Sequence, residues 1–492
     1  MRKRAVLVLL CALAGLCAAA ARLRPVYMDV TVPPNIAPLN MRVLDAPAGE
    51  AVACTYRAAD GDVLAAEGDF LRFEPKAWRD YLSRHAGEAL EVVLSLGGRP
   101  ALVATNHVSR HPVDACLTYR LIPPGYTGFH RIGVYQRDLA SFDEWPLYRN
   151  DQGPAEQCMN CHTYRGADPE TWMLHLRKES EGTIVHSPKY GLRKVDLATP
   201  GLPGICTYPA WHPSGDFLAF SVNEARQEFY WSDPGKVEVF DLSSDLVLYS
   251  LADDAVSPVE TGADRFECYP AWSPDGRTLF TTARRTGLSA LPADVLSRER
   301  LHGGANITNI YYDLCARTFD PATRTFSAPR TLLDGASAKL SVSLPRVSPD
   351  GRWLVFAAGH CGQFHIWHRD ADLWIVDLTT LRARPCTEIN SSDAESYHCF
   401  SSDGRWMVFS SRRDDGAYTR PYLAAFDPDT GTFGHPFLLP VEDPAEHGRR
   451  MLSYNVPEFS TGRVRMSPRR LRQAASAKIR PTKWTGNAII AP

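Results

Sequence analysis

A turn-and-strand unit recurs through the second half of this 492-residue chain and limits what it can fold into. The stretch from Tyr208 reads YPAWHPSGDFLAF. Related stretches are YPAWSPDGRTLFTT from Tyr269, LPRVSPDGRWLVFAA from Leu344, YHCFSSDGRWMVFSS from Tyr397 and a shorter VPEFSTGRV from Val456. Their glycines, Gly215, Gly276, Gly351, Gly404 and Gly462, stand 61, 75, 53 and 58 residues apart. Ser-Pro-Asp-Gly makes a tight turn, because proline sets φ, aspartate tolerates bridge or left-handed backbone and glycine takes positive φ. The run that follows, such as Arg352-Trp353-Leu354-Val355-Phe356-Ala357, alternates large apolar side chains as a strand does. Each unit is therefore a hairpin. Runs such as Val237 to Leu242 and Leu373 to Leu378 supply a third strand, and an outer strand completes a four-stranded sheet. One such sheet cannot bury both faces, so the sheets must stack; long, strand-only copies predict radial stacking, a mostly β propeller, over a solenoid.

The pattern S-P-D-G-[RK]-x-[LIV]-x-F resembles the TolB-type β-propeller repeat, found also in the propeller domains of prolyl oligopeptidase-like enzymes. The resemblance implies six or seven blades. The visible copies occupy 201–465, so the remaining strands are expected from 106–142 together with the end of the chain. About thirty residues follow the last copy and no G-x-S-x-G nucleophile elbow occurs, which argues against a serine peptidase. Propellers host many chemistries, so function must be sought in other residues.

Cys158-Met159-Asn160-Cys161-His162 is a C-x-x-C-H motif. Two thiols at that spacing can add to the two vinyl groups of a haem, and the histidine after the second thiol is placed to reach the iron. Twelve cysteines and fifteen histidines in 492 residues give about 0.009 such motifs by chance, which favours one covalent haem c. No second C-x-x-C completes a zinc site. The compartment agrees. Arg2, Lys3 and Arg4, the apolar run Ala5 to Cys17 and small residues Ala18 to Ala21 read as a cleaved secretory signal over 1–21. A lipid anchor on Cys17 is disfavoured by the large Leu16 before it. The expected location is the periplasm or otherwise exported, and no later run is long enough to span a bilayer. Together these features resemble a group of exported bacterial proteins that join a C-M-N-C-H segment to TolB-like blades.

A short helical haem-binding segment is expected over 143–200. Asp168-Pro169 reads as a helix start, and the helix would carry Met173 and His175. His175 is the first expectation for a sixth iron ligand beside His162. Met173 and an open position are equal alternatives, and a distant His186, His368 or His398 comes last. The region 26–105 reads as a separate small β-rich domain with a helix near Lys76 to His85. Of the remaining cysteines, Cys54 with Cys116 and Cys361 with Cys399 are plausible disulfides, buried free thiols being the alternative.

The net charge of −2 argues against a nucleic-acid partner. The basic C-terminal tail, 466–492, belongs to a stretch from Arg463 to Lys483 with eight basic and no acidic residues, and reads as solvated or as contacting an acidic partner. His360, Cys361, His365, His368, Asp370 and Asp372 have ligand chemistry at loose spacing, and Ser410 to Gly416 reads as a polar loop. Three functions follow. The first is electron transfer by the haem, with the propeller docking a redox partner or envelope protein. The others are a haem oxidoreductase with substrate in the propeller mouth, and a binding scaffold with a structural haem.

Overall fold

The computed structural model describes all residues except 1–21, 47, 124–128, 154–156, 201, 203, 230–236, 260–264, 286–309 and 487–492. The expected leader, with Cys11 and Cys17, lies outside the described residues.

Among the described residues, six sheets of four or five strands, numbered as blades in chain order, lie between Cys116 and Ser460, one of them joined by a short strand from the end of the chain. Blade 2 runs Cys158–Arg165, Asp168–Arg177, Gly182–Ser187 and Gly191–Val195. Blade 3 begins with Ile205–Trp211, Phe217–Phe229 and Val237–Ser250. Blades 4, 5 and 6 begin with Arg265–Trp272, Ser341–Val347 and Glu395–Phe400. Blade 1 is built from both ends of this region. Cys116–Ile122, Gly133–Asp138 and Glu144–Arg149 take Ser453–Ser460 as their innermost strand, antiparallel to Cys116–Ile122. The innermost strands touch their neighbours in an unbroken circle, so the sheets form a closed β-propeller around a central channel. Closure leaves the innermost strands no open edge, and pairing the two ends of the repeat region locks the ring.

Every innermost strand is interrupted at the same place by a residue of positive φ: Val456 at 50°, Cys161 at 56°, Tyr208 at 47°, Tyr269 at 53°, Leu344 at 52° and Tyr397 at 35°. In blades 1, 3, 4 and 5 a proline follows and two residues drop out of the ladder, because proline brings no N–H. In blades 2 and 6 histidine follows instead. Only one residue is skipped, and His162 and His398 rejoin the ladder opposite Leu174 and Phe409.

The expectation of a helical segment around the motif is corrected here. Residues 158–195 are a complete blade. Asp168-Pro169 opens its second strand, after a two-residue hairpin turn in which Gly166 and Ala167 both take positive φ, 53° and 63°. Asp168 accepts the Glu170 N–H at 2.9 Å, the side-chain-to-backbone bond that a helix cap would also use, which explains the false start signal. Trp172 and Leu174 pack toward blade 1 and Met173 toward blade 3, the alternation of a strand buried on both faces.

The region before the propeller forms a five-stranded sheet drawn from Thr31 to Val108 and a three-stranded one drawn from Leu23 to Leu71. The helix Pro75–Arg84, capped by Glu74 accepting from the Lys76 and Ala77 N–H groups, buries Trp78, Tyr81 and Leu82. This unit shares an apolar core with blades 5 and 6. Polar contacts fix its seat: the Trp406 indole donates to the His111 carbonyl at 3.1 Å, and Asn40 donates to the Glu442 carbonyl at 2.8 Å.

The basic stretch is not a free tail. A helix, Pro468–Ser476, buries Leu471 and Ala475 against blades 1 and 2. The chain then bridges Val195 at Arg480 and adds Lys483–Trp484 parallel to Ala255–Pro258 of blade 3. Its apolar residues face the blades while most of its arginines stay exposed. Of the two readings of the remaining cysteines the structure takes the second: the ten described cysteines are all free, and Cys54 and Cys116 are buried as small apolar side chains.

Candidate functional site

At the end of the channel where the innermost strands begin lies a cavity of about 450 Å³. All six positive-φ residues line it, one from each blade. Blade 3 extends over it, its second and third strands running to 13 and 14 residues and placing Ala225, Gln227, Val237 and Val239 in the lining. Phe364, in the connection between the second and third strands of blade 5, joins them.

Blade 2 supplies Cys158, Asn160, Cys161 and His162. Strand alternation places Cys158 and Asn160 on one face, and the bulge at Cys161 shifts the phase so that the second thiol reaches the same cavity. Both thiols are free and half-buried. His162 is 6% exposed, and neither ring nitrogen has a hydrogen-bond partner among the described residues. Burial, then the Arg120 guanidinium, push its pKa down to about 4, against a weaker upward pull from the Thr118 and Val456 carbonyls, which lie outside hydrogen-bond geometry. A neutral imidazole with two orphaned nitrogens costs stability, about 1–3 kcal/mol by general experience. Such a group calls for an explanation, and neutral imidazole is the form that binds metals.

The motif strand is tied down on both sides. Asn150 accepts the Met159 N–H at 3.1 Å, and Asn160 accepts the Cys161 N–H at 2.9 Å and a bond from Arg120. From blade 1, Glu458 accepts the Thr163 hydroxyl at 3.0 Å and the Tyr164 N–H at 3.1 Å, and burial pushes its pKa up to about 7. Across the cavity Asp241, also raised by burial to about 7, accepts from Asn223 at 2.9 Å and Tyr312 at 3.1 Å. The Tyr208 and Tyr269 rings meet at 4.3 Å beside it, and the Tyr269 hydroxyl donates to the Gln363 carbonyl at 2.9 Å.

The structure brings Cys158, Cys161 and His162 together but brings neither expected sixth ligand to them. His175 is the cross-strand partner of Asn160, yet it does not line the cavity. Its Nδ1 is bonded to the Thr183 hydroxyl at 2.9 Å, and burial, with Arg177, pushes its pKa down to about 3. Met173 packs in the core between blades 2 and 3. His186 stacks on Trp172 and donates to the Glu170 carbonyl, His368 bonds Glu238 at 2.5 Å, and His398 donates to the Val355 carbonyl. The His360–Asp372 stretch is likewise dispersed into separate contacts: His360 to Asp370, His365 to Ser343 and His368 to Glu238. Among the described residues no group of three His, Cys, Asp or Glu side chains is arranged to hold a metal. The polar loop after Ser411 is structural too, with Arg412 buried over the Trp367 ring and Arg413 paired with Glu395. Sequence reading missed the channel position of the motif. The signal was present: Cys161-His162-Thr163-Tyr164 aligns with Tyr208-Pro209-Ala210-Trp211.

A closed ring of antiparallel sheets, each with an innermost strand on a common channel, defines a β-propeller. No known protein-family model matches the chain, and no curated protein matches it in sequence. Among solved structures it is similar to TolB from Acinetobacter baumannii, at 13% identity over 76% of this chain and 79% of that one, TM-score 0.42. It is also similar to hydrazine synthase from Kuenenia stuttgartiensis, at 10% identity over 72% of this chain and 48% of that one, TM-score 0.43. A prolyl endopeptidase matches at 13% identity over 71% and 40%, TM-score 0.35. The class rests on the strand topology and not on these likenesses. No helix among the described residues is long and apolar enough to cross a membrane.

Proposed function

We propose that this chain is an exported c-type cytochrome-like propeller, in which Cys158 and Cys161 hold one haem covalently, His162 is an iron ligand and the propeller face docks a redox partner. The observation that carries the reading is the placement of both motif thiols and the partnerless His162 on one wall of a cavity of about 450 Å³. That volume is within the range of ligand sites, and the thiols are free to form thioether bonds. When bound, the haem would supply a one-electron couple. The chain's own part is to hold His162 neutral, keep the motif strand fixed through Asn150 and Glu458, and surround the site with the tyrosines and Asp241.

A second reading has its own support. Among the described residues no methionine, and no histidine other than His162, lines the cavity, so these residues offer no second strong nitrogen or thioether ligand there. That favours an iron with an open or weakly filled position, as a haem oxidoreductase would need. One experiment separates the readings. The full chain is exported from a host with cytochrome c maturation, beside Cys158→Ala/Cys161→Ala. Pigment that resists acid-acetone extraction in the parent and vanishes in the variant supports the haem reading, and its absence from the parent sinks it. Carbon monoxide binding to the reduced parent would favour the oxidoreductase, and indifference to carbon monoxide would favour electron transfer.

A further inference from the structure

We propose that Arg120 and Arg177 form a paired carboxylate-binding site that takes the two propionates of the haem carried by Cys158 and Cys161. The assignment rests on the haem reading above, but its argument starts from the arginines themselves. Arg120, on the strand Cys116–Ile122 of blade 1, is 5% exposed; Arg177 ends the second strand of blade 2, directly across from Cys158. Both line the cavity. The Nε of each is buried without a hydrogen-bond partner, and among the described residues no carboxylate pairs with either. Among the described residues Arg120 donates to neutral acceptors, the Asn160 side chain and the Met159 carbonyl. The third cavity arginine, Arg346, differs in having Glu458 at 3.8 Å.

A buried cation without a counter-charge is costly, and one removed from its partner destabilises a fold strongly. Arg120 is such a cation, and Arg177, half-buried with its Nε enclosed, stands at the edge of the same cavity, so the two together call for anions from its occupant. The guanidinium fork matches a carboxylate with two parallel N–H groups, a geometry lysine does not offer. Position fits as well. Arg177 sits opposite the first thiol and Arg120 grips Asn160, the residue before the second, so both charges flank the covalent attachment points.

The test is potentiometric and uses the matured full chain. A positive charge beside the haem favours the reduced iron, so Arg120→Gln and Arg177→Gln should each lower the midpoint potential. The expected size is about tenfold in the reduction equilibrium, about 59 mV for a one-electron couple. Arg120→Lys and Arg177→Lys keep the charge, should stay near the parent, and guard against a folding defect being read as an electrostatic one. Failure of the parent to carry covalent haem refutes the haem reading. A covalent haem whose potential is unchanged in both glutamine variants refutes the arginine assignment alone. Succinate added to the parent distinguishes a free dicarboxylate as the source of the anions. A spectral response that disappears in the glutamine variants, with their potentials unchanged in its absence, would assign the site to such a ligand and overturn the propionate assignment.

Discussion

Blades 2 and 6 place a histidine at the same point of the innermost strand, one residue after a positive-φ bulge, and use it differently. His398, after Tyr397, donates to the Val355 carbonyl at 2.9 Å and stays out of the cavity lining. His162, after Cys161, lines the cavity, and its ring nitrogens have no hydrogen-bond partner among the described residues. Burial pushes both down, His398 to about 3 and His162 to about 4, so acidity does not distinguish them. The distinction is partnership. Blade 6 spends its histidine on packing against blade 5, whereas blade 2 leaves its imidazole uncommitted beside two thiols. The bulge tolerates proline or histidine as a matter of backbone geometry, and a binding site arises only where the side chain is left without a protein partner.

The largest effect expected from this comparison concerns the position two residues after the bulge follower. Trp211, 7% exposed, packs between blades 2 and 3 and donates its indole N–H to the Thr163 carbonyl at 3.3 Å. Trp211→Ala should cost about 3–5 kcal/mol in denaturant unfolding. Its counterpart in the motif blade, Tyr164, shares a 2.7 Å bond with the Thr118 hydroxyl, and Tyr164→Phe should cost only about 1 kcal/mol. Equal costs would break the view that the aromatic is a staple between blades and the motif blade an altered copy of the same unit.

A smaller effect lies in pH. Glu458, which holds the motif strand from blade 1, is raised by burial to about 7, against roughly 4.3 for an unfolded glutamate. Between these values the native state keeps a proton that the unfolded state has lost, so stability falls as pH rises through the window. Glu458→Gln removes that slope, and melting temperatures of parent and variant should diverge by the equivalent of roughly 1–3 kcal/mol between pH 4 and 7, the variant gaining. Parallel pH profiles would show that Glu458 is ionised in the folded protein and that the blade 1 to blade 2 tie is an ordinary carboxylate bond.

The smallest effect is expected at His175. His175→Gln, which keeps most of the buried volume, should weaken its bond to Thr183 at a cost of about 1 kcal/mol and, if the proposed haem is attached, leave its absorption bands in place. A shift in those bands would instead restore His175 as an iron ligand and require blade 2 to rearrange.

Much of this was legible in the chain itself. The Ser-Pro-Asp-Gly turns, the alternating runs after them and the C-x-x-C-H spacing act within a few residues, where turn chemistry and covalent geometry decide the outcome. The repeat also pointed to 106–142 as a source of further strands, and Cys116–Ile122 pairs there with Ser453–Ser460, the strand that holds the last visible copy. Residues 158–195 were harder to read because Thr171 to Leu176 are all buried, so a strand packed on both faces shows no alternation, and Asp168 imitates a helix cap.

The sequence by itself determined the repeating hairpins, the sharp turns between their strands and the presence of two thiols and a histidine in one short motif, since these depend on local backbone preferences and residue identity. Only the tertiary structure decided that the motif forms an innermost strand, that His162 rather than His175 enters the cavity, that Arg120 comes to face it from another blade and that the basic stretch straps three blades. The physical reason is that ring closure and burial between blades join residues far apart in the chain, and no local propensity carries that information.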